Sequence, residues 1–325
     1  HDLPWSRSSR RPDHMIRGAK ALRTAVQATK PDIVHLHTPV ASAVGRATLR
    51  MMRSEEQPIV VHTAHGFHFH PNGGRLQNTS AMYVERTLKR FTDHLFTIND
   101  HDAAAAITKL GYAPDRVTKL DGIGIDLAHY ATSKTIRESG RVLRQQLQIA
   151  HELPLVAFIG ALNGNKRPFD LIAAAKLVPP AIQFVVAGDG PLRPELENLK
   201  PPNVHFVGRI DDIRPLIATS QLTVSCSNRE GLPRSLLESL VGGTPIVTSA
   251  CRGSEDLARN VDAIFPVGDT HRLAHLLSRY LTDHVELERL YKLQSEDLEA
   301  YSMDQVAQAQ LEVYDRLASS RLGQG

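Results

Sequence analysis

Two kinds of apolar spacing alternate along this chain. Short β-branched and aliphatic runs occur at 31–37 (PDIVHLH), 58–63, 94–98 and 117–120. Between them, at 14–29, 41–53, 80–91 and 102–110, apolar residues return every three or four positions. The first pattern predicts buried strands and the second amphipathic helices, so the first third of the chain is alternating α/β with a mostly parallel sheet. Residues 121–137, DGIGIDLAHYATSKTIR, mix glycine and polar residues without a period and read as a linker. A helix at 138–148 then leads into a second set of strands at 155–159, 182–187, 204–207, 222–225 and 245–249, with a short one near 263–266. The tail from Tyr301 to Ser320 is helix-like, with apolar positions at Val306, Ala309, Val313 and Leu317.

Three strands of the second set run into glycine, at Gly160, Gly188 and Gly208. In open parallel sheets ligands bind beyond the carboxyl ends of strands, where glycine lets backbone approach closely. Lys166, Asp189, Arg209 and Glu230 all follow such ends, which places candidate chemistry there. The most informative stretch is Leu222 to Asp256, LTVSCSNREGLPRSLLESLVGGTPIVTSACRGSED, which reads as strand, loop, helix, strand. With Pro233 at the first helical position, Glu238 lies between one and two turns into the helix and Glu230 just before it. Backbone amides of Gly231, Leu232, Pro233's neighbour Arg234 and Ser235, with the positive end of the helix dipole, would attract phosphate, while the two carboxylates would accept from sugar hydroxyls. A nucleotide sugar has both parts. The competing reading is a capping box between Ser235 and Glu238, with Glu230 a solvated loop carboxylate.

Glu230 and Glu238 within EGLPRSLLES, followed by GGTPIVTS and Gly253-Ser254-Glu255, resemble the donor-site signature of glycosyltransferase family 4. The remainder, from HTPVASAVGR through HTAHGFHFH to the last helix, is similar to the branch that builds bacterial exopolysaccharides and capsules. The resemblance implies a GT-B architecture of two Rossmann-like parallel-sheet domains. Residues 1–130 would form the acceptor-side domain, joined by the C-terminal helix 301–325, and residues 131–300 the donor domain. GT-B chains begin with a strand and a glycine-rich turn that this sequence lacks, so at least one βαβ unit of roughly 30 residues is expected to be missing at its start.

The same resemblance implies roles for single residues. His65, in HTAHGF, matches a reaction-centre histidine that contacts the donor sugar or orients the leaving group by hydrogen bonding. Its neighbours His62, His68 and His70 raise a metal reading, but no carboxylate or cysteine lies near, and strand alternation splits the set between faces; ordinary polar packing also stays open. Lys166, in GALNGNKRP, sits where the family places a lysine on the donor diphosphate. Ala161 stands where many relatives have a second cation, so Arg167 is the candidate substitute. Gly188 to Pro191, and Gly208 with Arg209 and Ile210, resemble loops whose backbone reads the base, with uridine the expected one. Neither is a full G-x-G-x-x-G and no P-loop occurs, so dinucleotide oxidoreductases and NTPases lack their motifs. Asp100-His101-Asp102 has the D-x-D spacing of a metal site in another transferase fold, but it opens a helix, where an acidic cap explains it. No metal or other cofactor is expected, a UDP-sugar being a substrate.

At 325 residues, with 42% hydrophobic and 22% charged residues, the chain has the composition of a soluble two-domain enzyme. No apolar run reaches spanning length and no export signal precedes the first strand, which predicts a cytoplasmic protein whose two cysteines, Cys226 and Cys251, are reduced. The net charge of +3 conceals a basic first 53 residues, with ten Lys or Arg against three Asp. Without a nucleic-acid module, that end reads as a peripheral docking face for an anionic membrane or a phosphate-bearing acceptor, or as a solvated helix face. No nucleic-acid partner is expected. The function so implied is retaining transfer of a hexosyl or N-acetylhexosaminyl unit from a UDP-sugar donor to a lipid-linked or growing saccharide, with Glu230 on the sugar hydroxyls, Glu238 on the ribose and Lys166 on the diphosphate. The donor would lie in the second domain and the acceptor between domains. The alternatives are an epimerase or phosphorylase of similar shape, for which the Glu-x7-Glu loop is the wrong signature, and a nucleotide-sugar-binding module or part of a split transferase.

Overall fold

The computed structural model describes residues 12–53, 57–259 and 261–322. The opening HDLPWSRSSRRPDHM reads as irregular with a helix start at Arg-Pro-Asp; its first eleven residues lie outside the described ones. The chain divides into two units, residues 1–124 with 304–325, and residues 125–303.

In the first unit α1 (Pro12–Thr29), β1 (Ile33–His37), α2 (Pro39–Arg50), β2 (Ile59–Ala64), α3 (Arg75–Leu88), β3 (His94–Thr97), α4 (Asp100–Thr108) and β4 (Val117–Lys119) alternate. The four strands pair in parallel in sequence order. Proline opens α2, where the missing N–H costs nothing. The C-terminal helix, Met303–Leu322, lays Val306 and Val313 on Val61, Phe96 and Leu120 of this sheet. On the opposite face Leu22 and Val26 of α1 and Leu49 of α2 cover Val60. The Asp100-His101-Asp102 cap differs from expectation. Asn99 caps α4 by accepting from the Asp102 amide at 2.7 Å, while the buried Asp102 carboxylate accepts from the Phe67 amide at 3.2 Å.

The second unit contains α5 (Leu127–Tyr130), α6 (Lys134–Gln146), β5 (Leu155–Ile159), α7 (Pro168–Ala175), β6 (Gln183–Ala187), α8 (Arg193–Leu199), β7 (Val204–Gly208), α9 (Arg214–Thr219), β8 (Leu222–Ser225), α10 (Arg234–Val241), β9 (Ile246–Ser249), α11 (Ser254–Ala258), β10 (Ile264–Phe265), α12 (Thr270–Thr282) and α13 (His284–Gln294). Several helices start on side-chain caps, such as Ser133, Asp269 and Asp283. Its parallel strands are ordered β10-β9-β8-β5-β6-β7. They are buried on both faces: Val156, Phe158, Phe184 and Val186 enter one core, and Leu155, Ala157, Val185 and Ala187 the other. That double burial is why these strands are apolar runs and not alternating ones.

Candidate functional site

The strand order fixes where a site forms. From β5 the chain winds outward through β6 and β7, then returns to the other side of β5 to lay down β8, β9 and β10. The loops after β5 and β8 therefore leave the sheet in opposite senses and open a crevice at their carboxyl ends, the switch point where doubly wound sheets bind ligands. Lys166 lies in the first of these loops and Glu230 in the second.

The two side chains meet there. Lys166 Nζ donates to Glu230 Oε1 at 2.6 Å, with 23% and 13% of the side chains exposed. The loops carrying them are tied backbone to backbone. The Asn228 amide donates to the Asn165 carbonyl at 2.7 Å, Asn165 Nδ2 to the Arg229 carbonyl at 3.0 Å, and Asn163 Oδ1 accepts from the amides of Asn165 and Lys166 at 3.0 and 3.1 Å. On the other side, Arg252 Nε donates to the Glu230 carbonyl at 3.1 Å. Gly253, at φ +76, passes so close to Gly231 that a Cβ there would stand 1.8 Å from the Gly231 carbonyl oxygen. The ends of β5, β6 and β7 are joined as closely: the Gly160 amide donates to Ala187 and the Gly188 amide to Gly208. A Cβ on Gly188, at φ +145, would fall 1.9 Å from the Gly160 carbonyl oxygen, so only glycine fits.

Helix α10 begins at Arg234, with Pro233 as its N-cap residue and no side-chain cap. The capping box between Ser235 and Glu238 is therefore not formed. Glu238, 6% exposed, instead accepts from Arg234 Nε at 2.8 Å one turn away. Tyr130, from α5, lies against the same carboxylate, and burial together with Glu238 raises its phenol pKa. Gly231 and Leu232 form the turn that leads into Pro233. Arg167 is placed differently from Lys166. It adopts a left-handed backbone at φ +47 and turns onto its own helix, with Nε and Nη2 on the two oxygens of Asp170 at 2.6 and 3.0 Å. Arg209, exposed, and Ile210, half-buried, follow β7, two strands from β5 and so about 10 Å across the sheet.

In the first unit, the exposed His65 follows β2, and its Nε2 is 3.0 Å from His37 Nδ1. His35, two residues before His37 on β1, packs against His37 with the rings tilted and their centroids 4.2 Å apart, hydrogen-bonds Thr63 at 2.6 Å and pairs with the Tyr314 hydroxyl. Burial lowers the pKa of all three imidazoles, that of His35 to about 3, with His37 adding repulsion on both others. His62 points to the other face, where its Nδ1 meets Ser42 Oγ at 2.9 Å, and burial again pushes its pKa well down. Among the described residues no group of three or more His, Cys, Asp or Glu is placed to hold a metal ion. Cys226 and Cys251 are free and buried, and burial raises both thiol pKa values.

Sequence reasoning passed over Asn163, Asn165, Arg252, Tyr130 and the His35–His37 pair. The first two stood in a polar N-G-N turn and the last in a strand with histidines two apart, which share a face.

Two family models match the chain: "Glycosyltransferase Family 4" over residues 2–129 and "Glycosyl transferases group 1" over residues 141–296. Among curated proteins, EpsD of Bacillus subtilis, a protein named as a glycosyltransferase, is 30% identical over 80% of this chain and 70% of its own length. The Escherichia coli UDP-Gal:alpha-D-GlcNAc-diphosphoundecaprenol alpha-1,3-galactosyltransferase is 28% identical over 71% of this chain and 61% of its own length. Among solved structures, Anabaena HepE in complex with UDP and glucose superposes with a TM-score of 0.78 at 21% identity, covering 92% of this chain and 81% of that one. Sucrose-phosphate synthase from Thermosynechococcus elongatus gives a TM-score of 0.80 at 17% identity, over 95% and 79% of the two chains. No helix among the described residues is long and apolar enough to cross a membrane.

Proposed function

The chain belongs to glycosyltransferase family 4 and has the GT-B fold, and from that premise we propose that it moves a sugar from a UDP-sugar to a lipid-linked or growing saccharide acceptor, with retention at the anomeric carbon. The observation that carries the reading is the Lys166–Glu230 pair at the switch point, held by backbone on both sides. A diphosphate brings two negative charges against the single one of Glu230, so it competes for the Lys166 ammonium. Glu230 is then released to accept from donor-sugar hydroxyls, and Glu238, oriented by Arg234 and Tyr130, to accept from the ribose. Gly231, Leu232, Pro233, Arg234 and Ser235 line the diphosphate with the start of α10. Gly188, Arg209 and Ile210 lie on the nucleoside side, and the Arg167 guanidinium supports the loop through Asp170. To His65 we assign the role that the family resemblance implies, a hydrogen bond to the donor sugar or the leaving group.

As the glycosidic bond to the leaving group breaks, charge grows on the β-phosphate. A fixed ammonium and backbone amides stabilise that charge without reorganising, the usual large term in such catalysis. The leaving phosphate takes the acceptor's proton, and no carboxylate serves as nucleophile. The UDP preference is supported by Anabaena HepE, solved with UDP, and the lipid-linked acceptor by the name of the Escherichia coli relative. The test is to incubate the chain with UDP-glucose, UDP-galactose and their N-acetyl forms and a diphosphoundecaprenol-linked saccharide, then assign the new linkage by NMR. An α-linkage from an α-donor is expected. A β-linkage would overturn the retaining reading, and turnover of a GDP- or ADP-sugar alone would overturn the donor.

A further inference from the structure

The register of the first unit's sheet gathers a row of imidazoles on one face. β1 pairs with β2 so that His35 stands opposite Val61 and His37 opposite Thr63. Side chains two apart on a strand share a face, so His35, His37 and Thr63 point the same way, and His65, two residues beyond Thr63, meets them. The C-terminal helix covers Val61 and Phe96 on that face and brings Tyr314 down onto His35.

Each ring is held by the one before it. His35 uses both nitrogens, Nε2 on Thr63 Oγ1 at 2.6 Å and Nδ1 on the Tyr314 hydroxyl, so it cannot turn without breaking two hydrogen bonds. Its ring packs against His37 and so fixes the plane of an exposed imidazole. His37 Nδ1 then lies 3.0 Å from His65 Nε2, while the two ring centroids stand 5.3 Å apart with 27° between their planes. The centroids are thus farther apart than the nitrogens by about one ring diameter. The rings meet edge to edge and nearly coplanar, which is the alignment of a hydrogen bond and not of two stacked faces.

Two neutral imidazoles can share that bond in only two ways. If His65 Nε2–H donates, His65 Nδ1 is left bare. If His37 Nδ1–H donates, His65 Nε2 accepts and the His65 proton sits on Nδ1. Among the described residues His65 Nδ1 has no hydrogen-bond partner, so it is the nitrogen left to face a ligand. Only the second arrangement gives it a proton to offer a leaving phosphate that is gaining negative charge.

We propose that His37 is a positioning residue, which donates Nδ1–H to His65 Nε2 and so holds His65 in the Nδ1–H tautomer, with that N–H free for the leaving phosphate. His35, clamped by Thr63 and Tyr314, keeps His37 in plane. His65 stays neutral and keeps its proton, acting as a fixed donor. That role rests on the transfer reading, whereas the tautomer is a property of the free protein.

The test is long-range proton–nitrogen NMR of the isotope-labelled full chain at neutral pH without substrates, which reports whether each ring nitrogen carries a proton. His37→Ala, His37→Asn and His65→Ala assign the signals. In the parent, His65 is expected to be protonated on Nδ1 and bare on Nε2, with His37 protonated on Nδ1. His37→Asn, whose amide N–H reaches about the same place, should keep the His65 tautomer, and His37→Ala should move its proton to Nε2. In steady-state assays His37→Ala is expected to lower kcat by about tenfold or more with the donor KM within a few fold, and His37→Asn to recover most of the loss. The proposal is overturned if the parent's His65 carries its proton on Nε2, if a folded His37→Ala leaves it on Nδ1, or if His37→Asn is as slow as His37→Ala. A parent that shows these tautomers but transfers no sugar supports the pairing and overturns the transfer reading, so the two fail separately.

Discussion

Lys166 and Glu230 are 64 residues apart and 2.6 Å from each other, so a change in either alters the other's surroundings. Lys166→Ala removes the diphosphate's cation and leaves Glu230 facing it, and the proposed site predicts UDP binding weaker by about tenfold or more. Glu230→Gln keeps the ammonium and the shape of the loop. It should leave UDP affinity within a few fold while lowering turnover by about a hundredfold, because the sugar contact is lost and the diphosphate contact is kept. Equal loss of UDP affinity in both variants, read by calorimetry beside steady-state rates, would show that Glu230 binds the nucleotide and not the sugar. The residue types were readable from the chain: two carboxylates and a lysine after strand ends need no structure to attract notice. Their pairing was not, because it depends on β5 and β8 being neighbours, which the order of strands along the sequence does not say. Arg167 shows the converse. Its place beside Lys166 makes it look like a second clamp, and only the left-handed backbone, which turns the side chain onto Asp170, shows where the guanidinium goes.

At the scale of elements, the loop before α10 is shaped by its neighbour after β9. Gly253 combines a positive φ with backbone contact to Gly231, so Gly253→Ala is expected to destabilise the protein by more than about 1 kcal/mol and to shift the Glu230 loop. A thermal melt and a UDP titration on that variant check both effects; a parent-like melt and affinity would mean that the loops yield without consequence. The sequence pattern places the strands within a residue or two; in the second unit the reason is double burial, which makes them short apolar runs, three of them running into glycine. Several helices are not so placed. The pairs α8 and α9, and α12 and α13, lie where the apolar spacing is brief or interrupted, and their starts are fixed by prolines and by the caps Asp269 and Asp283 more than by periodicity. The start of α10 was placed one residue early, since Pro233 caps the helix instead of entering it.

At the scale of the whole molecule, the first unit's sheet carries more imidazoles with burial-lowered pKa values than the second's, where His205 on β7 is lowered in the same way. His35, with its pKa lowered to about 3, His94, lowered to about 4, and His62, lowered well below the usual value, all belong to the first unit's sheet, and burial is the leading cause in each. A folded pKa below the unfolded value means that the unfolded chain binds more protons, so stability is full above about pH 6.5 and falls as the pH drops toward 4. Hydrogen exchange at pH 7 and pH 5 should show the strands of the first unit losing protection before those of the second, and His35→Asn should flatten that dependence. Loss in the reverse order would contradict it. The central claim remains that the crevice between the loops after β5 and β8 holds the nucleotide. Its most direct test is calorimetric titration of the full chain with UDP, GDP and ADP, with and without magnesium, beside the Glu238→Ala variant. Tighter binding of UDP than of the other two, indifferent to magnesium and weakened by loss of Glu238, is the predicted result. Binding that the variant leaves unchanged would take the ribose away from Glu238, and failure of a folded chain to bind any of the three would remove the donor site from this crevice.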